Sequence, residues 1–342
     1  MRFSTSAGYT ENAGPLKAWM HTTVNTLVLA LACTCGAQAQ DKPPNYPTKP
    51  IRVITGIAPG GGLDNMARLA AQKISERWGQ SVIVDNRPGG GTVIAMDIVA
   101  NANPDGYTLL AASETLMMNG VLKRAPYDVR TQFIPIVQLT TQPYVMVVHP
   151  SVAAKSVKDL IALARAKPGA LSYGSQGVGT TGHIGWERFN LMAGTQIQHV
   201  PYKGASLAVV DVIAGQIQTT MSIIAGTAPH MKSGKLRGIA YSGARRSELL
   251  PELPTVSEAG VPGFVCHNTY GYLTPKGTPS EIVRALNTVI AHGINAPAVV
   301  KSLAAEGSEV VTPVTPEEFK TKFDTEYAAL EKLMKVINIK LQ

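Results

Sequence analysis

The chain has 342 residues, a formal net charge of +8, three cysteines and only 6% aromatic residues. A positive balance without basic runs or interleaved aromatics gives no footing for nucleic acid and leaves long-range attraction for small anions. Two of the three cysteines, Cys33 and Cys35, fall in the first forty residues, which excludes a disulfide framework for the rest.

Those first residues read as an export signal. Arg2 and Lys17 form an extended basic region, an apolar stretch runs from Val24 to Cys33, and Ala37-Gln38-Ala39 offers a small-x-small cleavage site before Gln40. Cleavage near Ala39/Gln40 would put the mature protein in the periplasm with Cys266 as its sole cysteine. Cleavage before Cys33 with lipid attached is the other option, although Leu29-Ala30-Leu31-Ala32 fits that pattern imperfectly. The apolar stretch is too short for a permanent anchor, and no later run approaches the ~20 residues a membrane span needs. The remaining ~300 residues can hold themselves by apolar burial, most comfortably as two domains.

In chain order, Ile51-Arg52-Val53-Ile54-Thr55 is a β-branched strand, followed by Gly56-Ile57-Ala58-Pro59-Gly60-Gly61-Gly62. Leu63, Ala67, Ala70 and Ile74 then recur on one face of a helix. Strand, glycine-rich loop and helix together aim unpaired backbone N–H groups and a positive dipole end into one space, which suits an anion. The loop is no Walker motif, lacking Gly-Lys-Ser/Thr, and Asn65 stands where a dinucleotide fingerprint needs its third glycine. A βα turn needing glycine for its shape alone is the plainer alternative.

The alternation continues through strand Val82 to Val84, loop Asn86 to Gly91, a helix carrying Val93, Met96 and Val99, the Asp105-Gly106 turn, and strand Tyr107 to Ala111 ending at Ser113-Glu114-Thr115. Such βαβ units give a mostly parallel sheet with ligands outside the carboxyl ends of the strands. Two apolar strands follow, Ile134 to Leu139 and Tyr144 to Val148, with Thr140 to Pro143 between them as a crossing into a second domain. Ser156 is the expected N-cap of the next helix.

The second domain supplies a counterpart loop, Gly174-Ser175-Gln176-Gly177-Val178-Gly179-Thr180-Thr181-Gly182-His183, between a short strand and a helix carrying Ile184, Phe189 and Met192. Hydroxyls of Ser175, Thr180 and Thr181 beside a helix N-terminus suit a carboxylate; the same residues also serve as ordinary caps. A nucleophile elbow would need glycine where Tyr173 stands, and His183 has no second ligand at metal spacing. Further on come the His199 to Ala205 strand-to-helix junction with Tyr202 and Lys203, strand Gln218 to Ser222, strand Gly234 to Tyr241, and a returning strand Thr269 to Leu273. Helices over Ile282 to His292, Ala298 to Ala305 and Pro316 to Val336 close the chain.

Eight motifs stand in one order: Tyr46-Pro47-x-Lys49-Pro50-Ile51-Arg52, Pro59-Gly60-Gly61-x-x-Asp64, Asn86-Arg87-Pro88-Gly89, Pro104-Asp105-Gly106-Tyr107-Thr108-Leu109, Ser175-x-Gly177-x-Gly179-Thr180-x-x-His183, Val200-Pro201-Tyr202-Lys203-Gly204, Gly234-Lys235-Leu236-Arg237 and Leu253-Pro254-Thr255-x-x-Glu258-Ala259-Gly260. From Tyr46 onward the chain thereby resembles the solute-binding receptors of tripartite tricarboxylate transporters, the Bug receptors. The resemblance implies an α/β, two-lobed, type II-like periplasmic-binding-protein fold, each lobe a mostly parallel sheet flanked by helices, with a hinge between. Lobe 1 would comprise 40–141 and 268–342, and lobe 2 would comprise 142–267.

It implies a monomeric receptor without catalysis, cofactor or metal, which closes on a small organic carboxylate and works with integral membrane transporter subunits. The ligand would meet Ile57, Gly60, Gly61, Gly62, Asp64 and Thr115 from one lobe, and Ser175, Gly177, Gly179, Thr180, Thr181, His183, Tyr202, Ser222 and Ala225 from the other. Asp64 carries the wrong sign for a carboxylate and suits a helix cap, or an acceptor for a ligand hydroxyl, amine or water. The family usually has an aromatic at the place of Ile57, a tryptophan at Thr269, and often acids at Gln218 and Ser222, so the pocket lining departs from the common pattern. Two rivals use the same residues: a sensory co-receptor with a signalling partner, and a secreted hydrolase with Ser175 as nucleophile.

Overall fold

In the computed structural model, residues 42–60, 62–311 and 314–337 are described, with Met1 and Gly8. The expected signal segment, with Cys33 and the Ala39/Gln40 site, lies outside the described residues, and so does Gly61. The chain divides at Lys42/Pro43, and the fold belongs to Pro43–Gln342.

The first sheet is built from β1 (Ile51–Thr55), β2 (Val82–Asn86) and β3 (Thr108–Ser113), with helices α1 (Gly62–Trp78), α2 (Val93–Ala100), α3 (Thr115–Val121) and the short α4 (Val129–Gln132) between and after them. β1 lies parallel to both neighbours, with Val53 opposite Val84 and Leu109. Next comes β4 (Phe133–Val148), a single strand of 16 residues. The second sheet adds α5 (Val157–Ala166), β5 (Ser172–Ser175), α6 (Thr181–Ala193), β6 (Gln198–Pro201), α7 (Ala205–Ile213), β7 (Thr219–Ile223), α8 (Ile224–Lys232) and β8 (Arg237–Tyr241). The chain returns through β9 (His267–Pro275), α9 (Ser280–Ile294), α10 (Pro297–Ala305), β10 (Glu309–Val310) and α11 (Pro316–Val336).

β4 belongs to both sheets. From Phe133 to Pro143 it runs antiparallel to β9, which in turn runs antiparallel to β3. From Tyr144 to Val148 it leaves β9 and pairs with β7 on one side and β8 on the other. β5 then lies parallel to β7 and β6. Each sheet therefore has a parallel trio made by βαβ units and antiparallel strands where the crossing segments enter. The expected break at Thr140 to Pro143 is not a loop. Proline lacks the N–H a ladder requires, but Pro143 sits where β4 changes partners, so the missing donor falls at the change.

Alternation along each strand explains the continuous apolar runs. In the first sheet Val53, Leu109 and Tyr272 face α1 and α9, where Leu63, Ala67, Ile74 and Leu286 are buried. Ile54, Leu110 and Leu273 face the opposite side, with Met96, Phe323 and Tyr327. In the second, Tyr144, Met146 and Val148 join Tyr173, Trp186 and Phe189, while Val145 and Val147 join Val209 and Val212. Sheets covered on both faces need apolar residues at every strand position. α11 starts at a full capping box, Thr315 with Glu318, at the end where the sequence places it.

Candidate functional site

The first glycine loop is held by one buried carboxylate. Asp64, in the first turn of α1, is 1% exposed. Its Oδ2 accepts from Gly60 N at 2.9 Å and from Arg68 Nε at 2.9 Å, and its Oδ1 accepts from Asn86 Nδ2 at 2.8 Å. The same Asn86 amide donates to Ile57 O at 3.0 Å. Burial pushes the Asp64 carboxyl up, but the bonds from Arg68, Gly60 and Asn86 outweigh it and hold it below the usual carboxylate range. Asp64 thus ties the loop to the end of β2 and turns both oxygens inward. Ile57 is half-buried against the core of the first sheet. Gly60 adopts a left-handed φ of 86° in open space. Gly62 opens α1 under Tyr270, whose hydroxyl would lie 2.9 Å from an added Cβ.

The second loop is a closed hydrogen-bond circuit. Ser175, 1% exposed, shares a 2.7 Å bond with His199 Nε2, and its Oγ accepts from Gly177 N at 3.1 Å. Thr180 donates to Gly177 O at 2.8 Å. Gly177 and Gly179 take φ values of 128° and 78°, which fold the loop tightly enough for these contacts. Gly179 N donates to His183 Nδ1 at 3.0 Å, which leaves the imidazole hydrogen on Nε2. His183 stacks on His199 with ring centroids 3.9 Å apart, and His199 stacks on Tyr173 at 5.0 Å. Burial brings His199 down to about 4; burial together with the neighbouring His199 brings His183 down to about 3. Both rings are neutral wedges under the loop at ordinary pH.

One consequence concerns α6. Its N-cap residue is Thr180, yet the Thr180 side chain makes no cap bond, because its hydroxyl is turned to Gly177. The hydroxyls of Ser175 and Thr180 serve the loop's shape, and the backbone N–H groups of the first helical turn remain for an anion. Ser175 and His199 stand at nucleophile-to-base distance, but the serine is enclosed, and among the described residues no carboxylate orients the other ring nitrogen of His199. This pair shapes a loop.

The remaining expected positions divide. Thr115 starts α3, and its hydroxyl accepts from Ser113 at 3.2 Å. Thr181 starts α6, and its hydroxyl faces Glu114. Tyr202 donates its backbone N–H to Ser175 O at 3.1 Å, but its hydroxyl is turned to Asp211 at 2.7 Å. Ser222 is buried on β7 opposite Val145, and Ala225 is exposed in the first turn of α8.

Sequence reading names Thr269 in the pocket lining but gives no site role to Glu114 and His267, which the fold brings to it. Thr269, next to Tyr270 on β9, lies 3.3 Å from Glu114 Oε1, and His267 Nδ1 lies 3.5 Å from the same oxygen. The starts of α1 and α6 are therefore linked through Tyr270, Thr269 and Glu114. Beside Glu114 and Thr181 a cavity of about 430 Å³ opens between α3, α6 and α11, with Met117, Met118, Ile184 and Leu330 in its wall. Burial pushes the Glu114 carboxyl up to about 8, and Glu326 across the cavity adds to the effect. On the other side of the loop, an added Cβ on Gly179 would lie 3.1 Å from Leu122 Cδ1 and 3.4 Å from Arg124 Nη1. No local pattern in the sequence flags the basic pair Lys123-Arg124.

Comparison with other proteins shows the family. The family model described as "Tripartite tricarboxylate transporter family receptor" matches residues 66–338. The protein BugT of Bordetella pertussis is 35% identical over 290 residues, covering 83% of this chain and 88% of that one. Among solved structures, Rpa4515 of R. palustris with adipate is 34% identical with a TM-score of 0.76, covering 85% of this chain and 98% of that one. MatC (Rpa3494) from Rhodopseudomonas palustris with bound malate is 25% identical with a TM-score of 0.74, covering 84% and 99%. The fold is the two-lobed periplasmic-binding-protein fold, and no described helix is long and apolar enough to cross a membrane. With a family model matching over most of its length, the chain belongs to the family of tripartite tricarboxylate transporter receptors.

Proposed function

We propose that this protein is an exported receptor that captures a small organic carboxylate between its lobes and hands it to the membrane subunits of a tripartite transporter. One lobe takes the chain from Pro43 to Thr141 and again from Asn268, and the other takes 142–267, the chain crossing where β4 changes partners and where β9 begins. The observation that carries the reading is the uncapped start of α6, whose nearest hydroxyl is bonded inward. A helix N-terminus left open beside a glycine loop favours a carboxylate. The adipate and malate held by two structural relatives support the same ligand class.

The ligand is a carboxylate without an ammonium group. A buried ammonium needs an anionic or multi-carbonyl partner. Asp64 has both oxygens engaged by Gly60, Arg68 and Asn86, the carbonyl oxygen of Gln218 accepts from Ser172 N at 2.8 Å, and burial keeps Glu114, beside the start of α6, protonated. Calorimetric titration of the mature protein against succinate, malate, adipate, aspartate and glutamate tests this. At least one of the three diacids should bind at micromolar Kd or better, with both amino acids at least about 100-fold weaker, the worth of a charge-assisted hydrogen bond. Tight binding of an amino acid with none of the diacids would overturn the reading.

A further inference from the structure

The cavity between α3, α6 and α11 is not explained by the carboxylate site. Among the positions expected to meet that ligand only Thr181 lines it, and no glycine of either loop does. Its volume is about 430 Å³, well above the ~150 Å³ void that holds a benzene ring. Met117 and Met118 of α3, Ile184 of α6, and Leu330 and Leu333 of α11 give it an apolar wall. The charged groups around it are already matched. Arg188 donates to Val265 O at 3.2 Å and to Gly263 O at 3.4 Å, and Glu326 faces Lys322 at 3.9 Å. Burial pushes the His267 imidazole below its ordinary value and the Cys266 thiol above its own, so both are neutral. A charged ligand would enter this space without a counter-charge.

Glu114 is the unmatched group. Protonated in this setting, its carboxyl has one O–H to donate. Its neighbours are donors themselves: the Thr269 hydroxyl donates to Oε1 at 3.3 Å, and the Thr181 hydroxyl donates to the same carboxyl. Having given its hydrogen to Glu114, Thr269 Oγ1 accepts from His267 Nδ1 at 3.2 Å. That nitrogen therefore carries a hydrogen and cannot accept from Glu114 Oε1, 3.5 Å away. The Glu114 side chain is 21% exposed on the cavity wall. An O–H left without an acceptor in an apolar chamber is unfavourable until one arrives. A ketone or ester oxygen supplies the acceptor and brings no charge.

We infer that this cavity is a second ligand site, which takes an uncharged, largely apolar molecule whose carbonyl oxygen accepts from the Glu114 carboxyl group. The site stands apart from the carboxylate reading. Met117, Met118 and the leucines of α11 hold the apolar body, and Glu114 sets its orientation.

Methyl NMR of the mature protein tests it, with the methionine signals of Met117 and Met118 assigned from Met117→Leu and Met118→Leu. The probes are benzophenone, diphenylmethane, which has the same two rings without the oxygen, and diphenylacetate, an anion of similar size. Benzophenone should shift both methyls and bind about 3- to 10-fold tighter than diphenylmethane, the worth of one neutral hydrogen bond, with diphenylacetate weakest. Glu114→Gln retains an N–H donor and should retain that preference. Glu114→Leu should lose it while diphenylmethane still binds. Ala329 is exposed on α11 at the edge of the cavity, so Ala329→Trp fills the space without replacing a core residue and should weaken both probes alike. If Glu114→Leu does not fold, the parent's preference and the Ala329→Trp loss decide. Unmoved methyls with every probe, equal parent affinities for benzophenone and diphenylmethane, undiminished binding in Ala329→Trp, or a preference that survives Glu114→Leu would each overturn the assignment. None of these readouts depends on where a carboxylate binds.

Discussion

Glu114 shows how much a single side chain senses in this fold. Its carboxyl sits on the wall of a cavity among Met117, Met118 and Thr181 and is held protonated up to about 8, well above its ordinary value of 4.5. The folded form therefore keeps a proton that the unfolded chain releases, so this group's contribution to stability is complete below about 4.5 and is lost as pH rises toward 8. His183 and His199 act oppositely: neutral when folded down to about 3 and about 4, they are protonated in the unfolded chain below 6.5, so their contribution is lost as pH falls through that window. Together these groups place maximal stability near pH 6.5. Thermal unfolding of the ligand-free protein between pH 5 and 8.5 should show that maximum, and Glu114→Gln should remove the decline on its alkaline side. A decline equally steep in Glu114→Gln would assign it to other groups. None of this was legible in the sequence, where Glu114 is a polar residue ending a strand; its partners Thr269, His267 and Glu326 come from far along the chain.

At the scale of elements, much was legible because the physics is local. The apolar period of α1, the glycine runs after β1 and β5, and the Thr315–Glu318 cap of α11 are all fixed by neighbouring residues. α3 and α8 were missed because each follows its strand with hardly a turn residue between, Ile223 leading straight into Ile224. The single β4 was missed because proline normally ends a strand, and only the change of partners makes Pro143 tolerable. The bonds inside the second loop were also hidden: Ser175 to His199 joins two strands that pair only once folded. Gly271 is another long-range demand. An added Cβ there would lie 2.8 Å from Val137 O and 3.1 Å from Phe319 Cζ, so β9 can cross β4 under α11 only with glycine at that point. Gly271→Ala should lower stability by about 1–3 kcal/mol, read from the urea midpoint at unchanged slope. An unshifted midpoint would mean that the crossing has slack.

Across the whole molecule, the crossing segments meet at one buried hydroxyl. Ser242 Oγ donates to Cys266 O and accepts from Tyr144 N at 2.8 Å, so the point where β4 changes partners and the approach to β9 are tied to the same residue. On the proposed lobe boundaries, motion of one lobe against the other bends the chain at these two places, since the sheets on either side are buried on both faces. With the lobes divided as proposed, Gly179 of one lies against Leu122 and Arg124 of the other, and on the receptor reading a ligand reaches the start of α6 when that contact opens. Small-angle scattering should therefore give a smaller radius of gyration at saturating ligand than without it. Gly179→Leu supplies the control. A leucine there meets Leu122 and Arg124 head-on and strains a left-handed φ of 78°, so the lobes should stay apart. That variant should keep the parent's circular dichroism, lose most of its affinity and show no compaction. Compaction as large as the parent's would mean that the lobes close along another line, with Gly179 outside the contact.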